Sequence, residues 1–204
     1  MSFKKTLRAA ALIAAVSPVC VPAFAADAAS PLYLGASAGV YSRFNFDEHA
    51  TIARDNKGKS SGKLYAGNIF NTDDMHNGGI THAVELSAYT SATNKTGFKK
   101  GATVVAGTGE MLGVGLGYAG SYKVAPRVEV TGRVGVGYTK GEVTYVGGAV
   151  ESVKDASTTM GLGLAYHLGS NWSLHADWDR LPVQFSAAQT NKVNLLSLGA
   201  RYRF

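Results

Sequence analysis

The sequence predicts an all-β protein, a closed antiparallel eight-stranded transmembrane β-barrel connected as an up-and-down meander. Three observations carry this prediction: alternating side-chain character, eight separate segments that show it, and the lack of a helical span. In residues 195–204 every second side chain back from the terminus is apolar: Phe204, Tyr202, Ala200, Leu198 and Leu196. A period of two marks a strand with two unlike faces, and lipid around a barrel requires an apolar outer face. After the first thirty residues no long apolar run follows, and the uncharged run 111–122 is shorter than the roughly 18–20 residues of a spanning helix.

Strands 1 to 4 follow from alternation in the first half of the chain. Three of these segments place large apolar side chains on one face and small or polar ones on the other, whereas strand 2 is weak because neither face is clearly apolar. The predicted bounds are 31–41 for strand 1, 63–70 for strand 2, 81–89 for strand 3 and 112–119 for strand 4. Polar segments and turn-forming Asn, Asp and Gly separate them, at 43–62, 71–79 and 90–109.

Strands 5 to 8 show the alternation more strongly. Strand 5 has a valine-rich face, strand 6 sets leucine against glycine, and strand 7 sets two tryptophans against polar side chains. The predicted bounds are 127–138 for strand 5, 160–168 for strand 6, 172–179 for strand 7 and 192–204 for strand 8. Tight turns are expected at 124–126 and 169–171, and loops at 144–156 and 182–191. Outer-membrane barrels have short periplasmic turns and long outer loops, so we expect both chain ends on the periplasmic side.

The first 25 residues have the features of a secretory signal peptide, which leaves 26–204 as the barrel domain. Lys4, Lys5 and Arg8 precede an apolar stretch, and residues 23–25 (Ala-Phe-Ala) match the small-x-small cleavage rule. Cleavage would lower Lys+Arg from 20 to 17 against 14 acidic residues, so the formal charge of +6 falls to about +3 and gives little reason to expect a nucleic-acid partner. Cys20, the one cysteine, would also be lost, so no disulfide is expected in the exported protein.

These residues resemble the OmpA-type family of eight-stranded outer-membrane barrels. The resemblance is most specific in 171–180, similar to that family's penultimate strand, and in 195–204, similar to its terminal strand; 84–86 and 114–118 resemble inner strands. It covers the barrel domain only, without the family's peptidoglycan-binding domain. In that family the terminal strand is read by the barrel-assembly machinery, which implies that Tyr202 and Phe204 are recognition residues here.

Charged side chains that point inward by parity are the candidate functional residues: Glu85, Glu129, Arg133, His175, Asp177, Asp179 and Arg201. An eight-stranded barrel is just wide enough for side chains to fill its interior, and buried ions need partners. We therefore predict a charge network that plugs the lumen, with Glu85 facing Arg133 and with His175 or Asp177 facing Arg201. The resemblance implies an inward acid at Glu85, and its members commonly have arginine where His175 stands.

Catalytic, metal and nucleotide sites are not predicted. Ser173, His175 and Asp177 share a strand face, but no oxyanion donor or substrate cleft accompanies them, and adding Asp179 makes only a weak metal motif. The glycines of 113–117 and 161–163 alternate inside strands, where they make room in a narrow lumen, whereas phosphate loops join a strand to a helix. We expect no cofactor and no enzymatic activity.

Aromatic residues that project outward near strand ends favour membrane interfaces, although a soluble β-sandwich core could use them too: Tyr118, Tyr138, Tyr166, Trp172, Trp178, Tyr202 and Phe204. Lys95, Lys99 and Lys100 could contact lipopolysaccharide phosphates. The sequence thus predicts a monomeric bacterial outer-membrane protein with a structural or surface-interaction role, such as membrane integrity, adhesion or ligand contact through its loops. Its expected partners are outer-membrane lipids, lipopolysaccharide, periplasmic chaperones and the assembly machinery. The alternatives are a small gated channel and, more remotely, a lipid-modifying enzyme.

Overall fold

Eight antiparallel strands close into a single ring in the computed structural model, as the sequence predicts. The structure describes residues 32–46, 58–70, 79–100, 103–186 and 189–204, and at several strand ends it describes the backbone alone. The strands are β1 (Leu32–Phe46), β2 (Gly58–Ile69), β3 (Thr81–Lys100), β4 (Thr103–Ala125), β5 (Val128–Tyr145), β6 (Val150–His167), β7 (Trp172–Ser186) and β8 (Gln189–Arg203). Each strand pairs with the next, and β8 pairs with β1, which excludes a two-sheet sandwich. The expected signal peptide, residues 1–25, lies outside the described residues.

Side chains alternate between the barrel interior and an apolar outer wall. Along β5, Glu129 and Thr131 are buried, whereas Val134 and Val136 are 58% and 61% exposed. This outer wall of exposed aliphatic side chains is what a barrel surrounded by hydrocarbon requires. Among the described residues, no helix is long and apolar enough to cross a membrane.

Both described chain ends lie at one end of the barrel, which we call the terminal end; the opposite end is the far end. The terminal end also carries the β4–β5 turn at 126–127 and the β6–β7 turn at 168–171. At the far end the predicted loops at 90–109, 144–156 and 182–191 are wrong, because most of their residues are strand. The strand bounds leave only 101–102, 146–149 and 187–188 between these strands, and the connection from β1 to β2, 47–57, lies outside the described residues.

The predicted and observed strand ends differ because the apolar alternation stops at the edge of the hydrocarbon, whereas backbone pairing continues beyond it. A transmembrane strand needs about 9–11 residues, but β3, β4, β5 and β6 contain 20, 23, 18 and 18. Backbone pairing continues along these strands, with Lys100 still opposite Thr103 and Thr144 opposite Val150. Beyond the hydrocarbon the outer face no longer has to be apolar, so the alternation that predicts a strand disappears while the strand continues.

Strands 1 and 2 differ from the prediction in detail. A bulge between Gly39 and Tyr41 shifts the register of β1 against β8. Val40 and Tyr41 are therefore both on the outer face, at 57% and 38% exposure, whereas parity predicts that Tyr41 shares the inner face with Tyr33. The weak strand 2 is confirmed, and it begins earlier than predicted, at Gly58.

Candidate functional site: the filled lumen

The central section of the lumen is built around the guanidinium group of Arg133. Its Nε lies 3.3 Å from Glu85 Oε1, and its Nη1 lies 2.8 Å from Asp177 Oδ1. Tyr33 donates its hydroxyl proton to Glu85 Oε2 at 3.1 Å. The structure thus places Glu85 opposite Arg133, in the arrangement that the sequence predicts, and gives Arg133 a second carboxylate on β7.

Lys63 is a buried cation that the sequence analysis missed. Its Nζ lies 3.0 Å from Asp179 Oδ2 and 3.8 Å from Asp177 Oδ2, and the residue is 3% exposed. Neither face of strand 2 is clearly apolar, so the sequence pattern does not show whether Lys63 points into the lumen or outward. Strand pairing shows that it points inward, since Lys63 lies opposite the inward residues Ser37 and Tyr89 of its neighbouring strands.

A second ionic cluster lies nearer the terminal end. Arg201 Nη2 is 2.8 Å from Glu129 Oε1, and His167 Nε2 is 3.2 Å from Glu129 Oε2. Arg201 also donates from Nε to the hydroxyl of Ser173 at 3.3 Å. The predicted pairing of Arg201 with His175 or Asp177 is therefore wrong, because parity fixes the face of a residue but not its height along the barrel.

His175 joins the central section instead. Its Nε2 lies 2.9 Å from the hydroxyl oxygen of Tyr65, and its Nδ1 is 2.8 Å from Asp177 Oδ2 without the geometry of a hydrogen bond. Ser173 contacts Arg201, whereas His175 contacts Tyr65 and Asp177, so among the described contacts these two residues do not form the nucleophile–base pair of a hydrolase triad. Within the described part of the chain, no group of three or more His, Cys, Asp or Glu side chains could hold a metal ion.

Glycines on the inner face make the room that these side chains occupy. A Cβ on Gly161 would lie 2.6 Å from Asp179 Oδ1, and one on Gly163 would lie 2.9 Å from Arg133 Nη1. Similarly, side chains on Gly35 or Gly67 would overlap the rings of Tyr65 or Tyr33. The glycine alternation in β6 is thus a packing requirement of the ionic cluster, in agreement with its interpretation from the sequence.

Toward the far end the lumen is apolar. Eight buried side chains from five strands form one cluster: Tyr89, Met111, Val143, Tyr145, Leu181, Val183, Val193 and Leu195. The last four continue the inward alternation of β7 and β8. Val183 lies in the segment 182–191 that is predicted as a loop, and the sequence predicts no functional role for the other three. The Tyr145 hydroxyl, beyond the membrane-spanning part of β5, donates to Glu151 at 2.8 Å. Burial and this carboxylate raise the pKa of Tyr145 to about 12, so the hydroxyl stays a donor at neutral pH.

The outer wall places aromatic side chains around the terminal end. The ring centroids of Trp172 and Tyr202 are 5.0 Å apart, and those of Tyr202 and Phe204 are also 5.0 Å apart, both edge to face. Tyr166 and Tyr138 are 46% and 51% exposed on the same wall. The side chains of Lys95, Lys99 and Lys100 lie outside the described residues, although the backbone of β3 reaches Lys100 beside the 101–102 connection.

A family model described as "Outer membrane protein beta-barrel domain" matches residues 11–204. The chain belongs to the outer-membrane β-barrel family. The family, together with the closed ring and its apolar wall, locates this barrel in the bacterial outer membrane. No curated protein matches the chain at a significant level.

Solved structures with the same architecture are distant in sequence. Ail, the attachment invasion locus protein of Yersinia pestis, in a complex with the heparin analogue sucrose octasulfate, is 21% identical with a TM-score of 0.56. Neisserial surface protein A is 17% identical with a TM-score of 0.57, and a major outer-membrane protein of Thermus thermophilus is 19% identical with a TM-score of 0.51. Each match covers 87% of this chain and 100% of the other chain. At these identities the likeness shows the fold alone.

Proposed function

We propose that this outer-membrane barrel acts at the cell surface, where its far end contacts anionic groups of surface polysaccharide, and that it does not transport solutes. The observation that carries the proposal is the filled lumen: an ionic section followed by an apolar section, on strands that continue beyond the hydrocarbon. A lumen occupied in this way leaves the exposed far end as the surface available for function.

The two lumenal sections argue against transport for different reasons. In the ionic section each carboxylate or cation that moved aside to admit water would lose a buried partner, which costs about 3–5 kcal/mol per broken pair. In the apolar section, Val143, Val183 and Val193 are fully buried at 0% exposure. Water or ions that entered between these valines would exchange their hydration for contact with apolar side chains.

The far end supports a surface contact because its hairpins are long paired strands. Backbone pairing orders the described ends of β3 to β8, so less ordering entropy is lost when a ligand binds to them than with a flexible loop. Lys95, Lys99 and Lys100 belong to the last part of β3, next to the tip at 101–102. In an outer-membrane protein oriented with both chain ends in the periplasm, these lysines stand above the outer leaflet, where lipopolysaccharide carries phosphates.

The structure of Ail supports the choice of ligand chemistry by analogy. Ail has been solved with sucrose octasulfate, a heparin analogue and therefore a polyanion. Phosphate and sulfate groups attract lysine in the same way, so the shared ligand chemistry is an anionic saccharide. This saccharide has two possible sources, the cell's own lipopolysaccharide and a sulfated polysaccharide outside the cell. The experiment below distinguishes them.

The test compares binding of the folded barrel to purified lipopolysaccharide and to sucrose octasulfate. Replacing Lys95, Lys99 and Lys100 together by alanine is expected to weaken binding severalfold at low salt, because three cations are removed from one tip. A single Lys99→Ala variant is matched in charge by Lys123→Ala, which removes one exposed cation at the terminal end. Loss of lipopolysaccharide binding alone identifies the membrane source, and loss of octasulfate binding alone identifies the external one. Binding that is equally weakened by both single variants, or that is unchanged in the triple variant, would overturn the proposed contact.

A further inference from the structure

The lipid-facing wall contains a notch formed by two glycines that lie opposite each other. Gly120 of β4 and Gly132 of β5 are cross-strand partners, and both point outward because the adjacent Ala119 and Thr131 are buried in the interior. A Cβ on Gly132 would meet no atom within 4 Å. The two glycines lie in an open depression of about 790 Å³ on a wall otherwise covered by large apolar side chains.

One edge of the notch is held in place by an aromatic side chain. The ring of Tyr118 lies across Gly120, with Cε1 3.5 Å from the position of a Cβ on that glycine. The Tyr118 hydroxyl is hydrogen bonded to Nδ1 of His82 on β3, which fixes the direction of the ring. Tyr118 therefore covers the Gly120 side, while the Gly132 side stays open.

The remaining lining is apolar and projects around the open side. Tyr122, Val130 and Leu162 are 49%, 41% and 58% exposed, and Val134 and Trp178 complete the rim. An apolar concavity of this shape suits a flexible hydrocarbon chain, since a chain can follow an irregular surface and gain close contacts that a flat wall does not offer. Its position on the outer wall of a membrane barrel makes lipid chains the molecules that surround it.

A cation lies at the distance expected for a phospholipid headgroup. Arg127 is exposed in the turn that joins β4 to β5, the same two strands that carry the glycines. Five residues separate Arg127 from Gly132, which is roughly 16 Å along an extended strand. Because transmembrane strands are tilted by about 45°, this is a depth of roughly 11 Å, within the half-thickness of about 15 Å of the hydrocarbon core, so a lipid whose phosphate meets Arg127 has acyl carbons at the height of the notch.

We propose that the Gly120–Gly132 notch is a phospholipid site, which binds one acyl chain while Arg127 binds the phosphate of the same molecule. A second copy of the barrel fits less well as the occupant. In a two-fold dimer centred on this surface, the notch of one barrel would face the same notch of the other barrel. No projecting side chain would then fill either notch.

Trp178 on the rim is an intrinsic probe, because the chain contains one other tryptophan, Trp172, which is 52% exposed near the terminal end. Two single-tryptophan proteins, Trp172→Phe and Trp178→Phe, are refolded into vesicles of digalactosyldiacylglycerol, a bilayer lipid without phosphate, that contain increasing fractions of phosphatidylglycerol with brominated acyl chains. Bromine quenches a tryptophan that it touches. We expect Trp178 to be quenched at brominated fractions severalfold lower than Trp172, because the notch prefers a lipid whose phosphate meets Arg127 over the phosphate-free host lipid.

Further variants in the Trp172→Phe background locate the site. Gly132→Leu fills the notch and is expected to bring the quenching curve of Trp178 to that of bulk lipid, and Arg127→Gln is expected to shift it part of the way. Gly62→Leu is the matched control, since Gly62 also faces outward but has ordinary contacts at 3.6 Å around its Cβ position, and its curve should not move. Heat-modifiable migration on gels shows which variants have folded, and the comparison of Trp178 with Trp172 needs no glycine variant. Identical curves for the two tryptophans, or quenching that varies with the protein-to-lipid ratio as for a second copy, would overturn the proposal.

Discussion

At the scale of single residues, the lumen is arranged so that each described carboxylate of the two ionic clusters lies beside at least one cation. Asp177 shows the principle most clearly, because it is 0% exposed and lies 2.8 Å from Arg133 and 3.8 Å from Lys63. A buried ion pair is weak evidence for net stabilisation, since both ions lose hydration when they are buried. Removal of one partner is nevertheless costly, because the other charge stays buried.

Replacement of Asp177 by asparagine tests this argument. The change keeps the shape of the side chain but leaves Arg133 with Glu85 alone, so the free energy of unfolding should fall by about 3–5 kcal/mol. Glu142→Gln is the comparison at a solvent-exposed pair, where Glu142 lies 3.1 Å from Lys140 and the two side chains are 34% and 44% exposed; its cost should be at most about 1 kcal/mol. Urea unfolding of the refolded barrel in phospholipid vesicles, followed by tryptophan fluorescence, measures both. Equal losses in the two variants would show that burial does not determine the cost.

Parity alone places seven charged side chains in the lumen, but it does not supply their partners. The face of a residue depends only on its odd or even position, which the sequence displays directly. The partner depends on the register between strands, and the Glu129–Arg201 contact joins residues of β5 and β8 across the lumen. Lys63 stayed undetected for a simpler reason, since its strand has no clear apolar face from which parity can be counted.

At the scale of elements, β8 has two tasks: it closes the ring against β1 and it ends in an aromatic cluster. Closure requires a close approach, because a Cβ on Gly199 would overlap the carbonyl oxygen of Ala36 on β1. At its end, Tyr202 packs edge to face between Trp172 and Phe204. The sequence also predicts that the assembly machinery recognises Tyr202 and Phe204, and a single substitution can distinguish that predicted role from the packing of the rings.

Phe204→Ala is expected to lower the amount of assembled barrel in cells while changing the stability of the refolded protein by about 1 kcal/mol or less. Phe204 is 43% exposed, so its loss removes little buried area, and the edge-to-face contact with Tyr202 is worth about 0.5–1.5 kcal/mol. Phe70→Ala is the matched control, an aromatic residue 61% exposed just after β2 at the same end of the barrel. Heat-modifiable migration of outer-membrane fractions reports assembly, and urea unfolding reports stability. Normal assembly of the Phe204 variant would remove its recognition role.

At the scale of the whole molecule, the lumen is closed by two sections that differ in chemistry and in height. Tyr89 contributes to the apolar section, and Lys63 lies over its ring with Nζ 5.6 Å from the centroid, so the two sections are in contact. Loss of one charge should therefore loosen the ionic section without opening a continuous path. A gated channel controlled by the ion pairs would behave differently.

Planar bilayers measure this difference. The unmodified barrel is expected to produce no sustained ion conductance, and Asp177→Asn is also expected to be silent because Leu181, Val183, Val193 and Leu195 still fill the far section. A known porin added to the same bilayer serves as the positive control. Reproducible conductance steps from the unmodified protein would support the channel alternative, and steps from the Asp177 variant alone would identify the ionic section as the seal.

The alternation of residues along the sequence determines the class of fold, the number of strands, the face of nearly every residue and the position of the apolar wall. It does so because lipid outside and a narrow interior impose a period of two that is visible within each single strand. Three features depended on the folded chain: the reach of the strands beyond the membrane, the partner of each buried charge and the notch at Gly132. Each of these depends on how the strands are paired and closed into the ring, and no hydrophobic pattern along a single strand records that arrangement.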